Sequence, residues 1–156
     1  MNPNARLIQD FYAALEAGNG EFMASAYSSD ASFTDPVFDL RGDEIGAMWT
    51  MFCSAPGDIE VVVSDIEADD RVGRAHWEPK YRFGRPGRPV HNRIDATFEF
   101  LDGTISVHRD DFSFPRWARQ ALGLPGWLFG STGFLQERVR TQAAAQLKRF
   151  MAGAQE

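Results

Sequence analysis

The sequence predicts an α+β fold, and three observations predict it. Near the N-terminus apolar residues recur at helical spacing, through Leu7, Ile8, Phe11, Tyr12 and Leu15. From Ile59 onward the period becomes alternating, broken by Arg85-Pro86-Gly87-Arg88 and Asp102-Gly103, which are turn chemistry. After Pro115 the helical period returns. Helices first and a meander afterwards give a curved antiparallel sheet with helices on one face. The chain has 156 residues, enough for one domain with one core. Residues 1–114 hold the sheet and its first helices, and residues 115–156 form a helical extension of the same domain.

In chain order, Asn4 caps the first helix and Gly18-Asn19-Gly20 stops it. A second helix runs from about Glu21 to Tyr27. Ser29-Asp30 turns the chain into a strand, Ala31 to Thr34. That strand ends at Asp35-Pro36, because the residue before proline favours extended geometry. Asp43 caps a third helix around Glu44 to Cys53. Strands follow at Ile59–Asp65, Val72–Phe83, Val90–Leu101 and Thr104–Phe114. The extension reads as a helix from Arg116 to Leu122, a break at Gly123-Leu124-Pro125-Gly126, and an amphipathic helix from Leu135 to Met151.

Composition narrows the function classes. The net charge is −6 and the sequence pI is near 5.0, so no nucleic-acid partner is expected. Arg82, Arg85 and Arg88 form a small basic cluster, but it reads as a turn between strands. No apolar run approaches membrane-spanning length, so no membrane partner is expected either. Met1-Asn2-Pro3-Asn4 leads straight into a helix, and Cys53 is alone in an apolar run; a reducing cytoplasmic setting is expected. His76, His91, His108 and the acids match no metal-site spacing. There is no glycine-rich phosphate loop after a strand, and no metal or other cofactor is expected. Thirteen Phe and four Trp suit either a dense core or a cavity for an apolar ligand.

Five stretches, in this order, carry a family resemblance. They are Phe11-Tyr12-Ala13-Ala14-Leu15-Glu16-Ala17-Gly18, Asp30-Ala31-Ser32-Phe33-Thr34-Asp35-Pro36, Arg41-Gly42, Arg93-Ile94-Asp95, and Phe98-Glu99-Phe100-Leu101-Asp102-Gly103-Thr104-Ile105. Together they resemble the nuclear-transport-factor-2-like superfamily, with its SnoaL-like and ketosteroid isomerase-like members. The resemblance implies a cone, with the N-terminal helices packed on the concave face of the sheet. It covers roughly residues 5 to 114 and leaves the tail beyond it.

The resemblance also suggests roles. Asp35 falls where ketosteroid isomerases hold a general base; an acid before proline at a strand end is otherwise plain turn chemistry. Asp95 falls where those enzymes keep a protonated Asp that donates to a developing enolate. On its strand Ile94, Ala96, Phe98 and Phe100 take one face, while Arg93, Asp95, Thr97 and Glu99 take the other. Either the apolar face is core and Asp95 is a surface acid, or the concave face carries Asp95. In the second case the apolar back of the sheet wants a partner, and a homodimer through that back is expected. The other oxyanion donor of those enzymes is a Tyr on the first helix; Phe11 stands there, with Tyr12 about 100° away around the helix.

His108-Arg109-Asp110 resembles part of the limonene epoxide hydrolase pattern, which implies Asp110 as the acid for an opening epoxide. The Arg-x-Asp that accompanies it there falls near Trp77-Glu78-Pro79, which supplies neither residue. His108 reads as a general acid/base or as a structural couple with Asp110. Trp77 and Tyr81 share one side of their strand, and Phe11, Trp49, Phe52 and Phe112 complete an aromatic wall. These rings either fill a closed core or leave room for a flat apolar ligand. Acids among them would have raised pKa values through desolvation. The expected function is binding of a small apolar oxygenated molecule, with ketosteroid isomerase-like proton transfer by Asp35 as base and Asp95 as donor. Epoxide hydrolysis through Asp110 and a non-catalytic binding or assembly module are the alternatives.

Overall fold

A computed structural model describes residues 1–55 and 57–154. Helix α1 (Pro3–Ala17) opens with proline in its first turn, where a missing N–H is harmless. Its cap is Asn2, whose Oδ1 accepts the Asn4 N–H at 2.8 Å. Asn4, the expected cap, lies inside the helix and donates through Nδ2 to the Asp69 carbonyl. Gly18 ends the helix at φ 74°, a left-handed turn that glycine adopts without strain. Helix α2 (Gly20–Ser25) leads into β1 (Tyr27–Thr34), and β2 (Asp39–Arg41) returns beside it. Then come α3 (Asp43–Ser54), β3 (Glu60–Ala68), β4 (Val72–Phe83), β5 (Arg88–His91), β6 (Ile94–Leu101) and β7 (Thr104–Asp111). The extension forms α4 (Phe114–Leu122), α5 (Leu124–Phe129) and α6 (Gly133–Ala154).

The strands make one sheet in the order β2-β1-β7-β6-β4-β3, with β5 paired to β4. Every pairing is antiparallel except β1 with β7, which is parallel. The expected long strand from Val90 is two strands, since Asn92-Arg93 interrupts it. Register breaks in β1, β3 and at Glu99/Phe100 bend the sheet, as bulges do.

Side-chain alternation settles which face is inside. On β6, Ile94, Ala96, Phe98 and Phe100 are buried and Asp95, Thr97 and Glu99 are exposed. The buried face meets Ile8, Phe11, Tyr12 and Leu15 of α1 and Ile45, Met48 and Trp49 of α3. Burying each such large side chain contributes about 1.5–3 kcal/mol. The phenylalanines therefore point at the helices, and the back of the sheet is polar. This corrects the apolar-back reading on which the expected homodimer rested.

A second, smaller core joins the extension to the sheet. Phe114, Trp117, Ala118 and Ala121 of α4 pack with Val90, and Val37, Tyr81, Leu135 and Val139 flank them. Among the described residues no helix is long and apolar enough to cross a membrane.

Candidate functional site

The parallel pairing of β1 with β7 builds the site. Its register sets Phe33 beside His108 and Thr34 beside Arg109. Asp35 follows directly on β1 as Asp110 follows Arg109 on β7, and the two lie near enough for the Asp110 charge to act on the Asp35 carboxyl. Alternation places Phe33, Asp35, His108 and Asp110 all on the inner face. Across β7, Phe98 stands opposite His108 and the small Ala96 opposite Asp110.

A directed chain of hydrogen bonds ends on Asp110. Trp49 Nε1 donates to the Tyr27 hydroxyl oxygen at 2.9 Å. Tyr27 Oη lies 2.8 Å from His108 Nδ1, and His108 Nε2 lies 2.9 Å from Asp110 Oδ1. Indole nitrogen can only donate, and with Asp110 ionised one set of protons satisfies the whole chain: Tyr27 donates to Nδ1, and Nε2–H donates to Asp110. Burial holds the Tyr27 hydroxyl well above the usual range; the Trp49 N–H opposes this and the Asp110 charge adds to it. Trp77 Nε1 makes a longer contact, 3.5 Å, to the same Oδ1. Both contacts thus fall on Oδ1 of Asp110.

Asp35 sits in a tight turn. Its Oδ1 accepts the N–H of Val37 at 2.7 Å and of Phe38 at 2.6 Å. These bonds favour the charged form, yet burial wins. Burial raises the carboxyl from 3.8 to about 7; the Phe38 and Val37 amides lower it, Asp110 raises it, and Arg140 lowers it. The carboxyl is thus poised to take or give a proton near neutrality.

Two tyrosines border the acids. Tyr12 is 1% exposed and tilts over Trp77 at 5.0 Å between ring centroids. Its hydroxyl oxygen is the one buried side-chain polar atom without a hydrogen bond among the described residues. Leaving such a group unpaired costs about 1–3 kcal/mol. Burial, then Asp110 and Tyr27, keep it protonated and hence a donor. Tyr81 accepts from Trp117 Nε1 at 3.0 Å. Burial pushes its hydroxyl up to about 12 against the Trp117 N–H, with Asp35 adding to the rise.

The sequence candidates now divide. Asp35, Asp110 and His108 share one inner surface. Phe11, Trp49 and Trp77 pack around them, within 6.0 Å, 6.5 Å and 3.5 Å of His108 or Asp110. Phe52 and Tyr81 meet edge to face at 5.2 Å, and half-buried Phe112 bridges the two cores. Tyr12, Tyr27 and Trp117 were not among the candidates and belong to the site. The rings close over the acids. An open groove of about 560 Å³ lies instead near Arg74, Thr97, Glu99 and Arg109, mostly outside the sheet. It contains none of the buried titrating groups.

Asp95 stands apart. Its side chain is 77% exposed on the outer face and bonds His76 Nδ1 at 2.9 Å. His76 Nε2 meets Glu78 at 2.8 Å, and Glu78 meets His91 Nε2 at 2.7 Å. Asp95 first, then Glu78, raise the His76 pKa. The expectation that Asp95 lines the concave face is corrected, because the β6 pleat sends it outward with Thr97 and Glu99. Asp95→Asn is expected to leave any Asp35-dependent turnover unchanged and to move stability by less than about 0.5 kcal/mol in urea melts.

The model of the SnoaL-like domain matches residues 8–108, ending at the central histidine of this chain of hydrogen bonds. An M. tuberculosis LEH-like epoxide hydrolase superposes with a TM-score of 0.65 at 21% identity, over 83% of this chain and 97% of that one. A putative polyketide cyclase from Xanthomonas campestris pv. campestris superposes at 0.61 and 17% identity, over 76% and 96%. A Catenulispora acidiphila protein with a ketosteroid isomerase-like fold, crystallised with trimethylamine, superposes at 0.65 and 14% identity, over 81% and 97%. Likeness at these identities is a likeness of fold. No functionally curated protein matches the sequence. With its helices on a curved sheet and this match across most of the chain, the protein belongs to the SnoaL-like domain family.

Proposed function

We propose that the protein binds a small apolar oxygenated molecule against Asp35, Asp110 and Tyr12 and moves a proton on it, with Asp35 as the titrating group. The observation that carries this is the meeting of two inner-face carboxylates with a buried, unpartnered tyrosine hydroxyl. Tyr12 donates to the ligand oxygen. This supplies, one position along the helix, the donor that Phe11 lacks. Asp35, ionised near neutral pH, takes a proton from the carbon beside a carbonyl and returns it to another carbon. Asp110 is held in place through Oδ1 by His108, which leaves Oδ2 facing the ligand. The aromatic lining favours an apolar body. No cofactor enters these steps.

Entry requires the extension to move. It touches the site through Gln136 Nε2, which donates to the Pro36 carbonyl at 3.0 Å, and through Trp117 on Tyr81. Leu147 of α6 in the main core and the bonds of Gln120 to Arg88 and His91 hold the rest of the extension, so entry calls for a local opening at Gln136 and Trp117 rather than its release.

A second reading, epoxide opening, is favoured by one observation. Asp110 is the expected acid, but Trp77 Nε1 donates to it and His108 Nε2 lies against it, which suits a carboxylate orienting a water while Asp35 takes over protonation of the epoxide oxygen. The two readings differ in sign. A base works when ionised, so ketone isomerisation rises with pH through about 7. An acid works when protonated, so epoxide hydrolysis falls through the same point. Turnover of a β,γ-unsaturated cyclic ketone and of an alicyclic epoxide, measured across this range, separates them. Asp35→Asn is expected to lower the active one by about a hundredfold or more. Turnover of either compound that survives this substitution contradicts the proposal.

A further inference from the structure

Helix α5 is inside out for a surface helix. Gly126 is its buried residue, with Gly130 buried just beyond its end, and a Cβ on Gly126 would collide with the Ala118 carbonyl of α4. The backbone approaches α4 so closely that every large side chain of α5 faces away. Leu124, Trp127, Leu128 and Phe129 are 69%, 67%, 64% and 52% exposed, and Phe134 beyond the turn is 74% exposed. Isolated apolar residues on a surface are ordinary, but five within eleven positions, presented by a glycine-packed helix, form a platform that something covers.

Charge says what covers it. No acid occurs between Asp111 and Glu137, whereas Arg116 and Arg119 lie within that stretch. The Arg119 guanidinium sits 5.0 Å from the Trp127 ring centroid, at the edge of the platform. Residues 115–156 carry six Lys or Arg against two acids, while residues 1–114 carry ten against twenty. The extension is therefore basic on an acidic protein. A second copy docked there would bring two basic extensions together. A surface that is apolar within and anionic at its face matches both features.

We propose that the α5 platform docks on an anionic lipid bilayer. Trp127, Leu128, Phe129 and Phe134 enter the interfacial region, and Arg116 and Arg119 meet lipid phosphates. The attachment is peripheral and spans nothing. It revises the expectation, drawn from the lack of a spanning segment, that the protein has no membrane partner. It does not depend on the chemistry at Asp35.

The test is cosedimentation of the full chain with phosphatidylcholine vesicles, with or without about one third phosphatidylglycerol. Binding to the anionic vesicles is expected. It should weaken about tenfold on pure phosphatidylcholine, or in about 0.5 M salt, which shortens the reach of charge. Trp127→Ser with Phe129→Ser should reduce it at least about tenfold. The melting temperature should hold, since both side chains are exposed. In the unaltered protein, vesicles should shift tryptophan emission to the blue, and Trp127→Phe should remove the shift. Three results overturn the proposal: no binding to anionic vesicles, equal binding of both vesicle types at low and high salt, or undiminished binding of the double variant. A dimer seen by light scattering that the double variant dissolves, without vesicle binding, overturns it in favour of a second copy.

Discussion

Asp35→Asn is expected to stabilise the protein at pH 8 while lowering the proposed proton transfer about a hundredfold or more. The sign follows from linkage. Below about pH 4 the carboxyl is protonated whether the chain is folded or not, and it contributes nothing. Between there and about 7 only the unfolded chain ionises, so the folded state binds more protons and loses stability as pH rises. Above about 7 both states are ionised and the whole penalty of burying the charge is present. A rise from 3.8 to about 7 corresponds to about 4 kcal/mol, and the edge of Asp35 still open to solvent brings this to about 2–4 kcal/mol. Asparagine keeps an oxygen for the Val37 and Phe38 amides and removes the charge. For a chain of this size the melting temperature should rise by several degrees at pH 8 and little at pH 4. Denaturant melts at both pH values check it; an Asn variant less stable than the parent at pH 8 is the contrary result. A buried charge that destabilises the fold is the cost that a working site commonly carries.

Tyr27→Phe is expected to destabilise the protein by about 2–4 kcal/mol, although only one oxygen is lost. The ring remains, so no large cavity opens. The loss comes from two orphaned partners: Trp49 Nε1 has no acceptor and His108 Nδ1 no donor. His108→Ala should be worse still, about 4–5 kcal/mol or more. It empties the space between Phe98 at 4.4 Å and Phe33 at 4.9 Å and leaves Asp110 buried without its N–H donor. The double variant should cost much less than the two single effects added together, because both break one chain of bonds. Urea melts of the three variants give the comparison. A loss below about 0.5 kcal/mol in Tyr27→Phe would show that the chain carries no stability.

Much of the fold was legible because it is local. The stripe Ile8, Phe11, Tyr12, Leu15 and the alternation Ile94 to Phe100 each repeat with the period of their element. Alternation is symmetric, however: it separates two faces without saying which one the helices cover. The outward course of Asp95 depends on where α1 and α3 pack, a long-range fact. The neighbourhood of Asp35 and Asp110 is also long-range, since it arises from a parallel pairing between the first and last long strands. Tyr12 did carry a signal. It lies on the apolar stripe of α1, which is wide enough to bury adjacent positions, but the comparison with a neighbouring tyrosine position drew attention to Phe11. Tyr27 gave less, because it reads as the end of a helix and is in fact the first residue of β1. Gly123-Leu124-Pro125-Gly126 reads as a break, and only the packing of Gly126 on α4 shows the outward platform.

The most direct measurement is a carbon-13 NMR titration of the Asp35 side-chain carboxyl, assigned with Asp35→Asn. A midpoint near 7 is expected, falling when Asp110→Asn removes the neighbouring charge. A midpoint near 4, unmoved by that substitution, would place Asp35 in water and contradict an inner-face pair of acids.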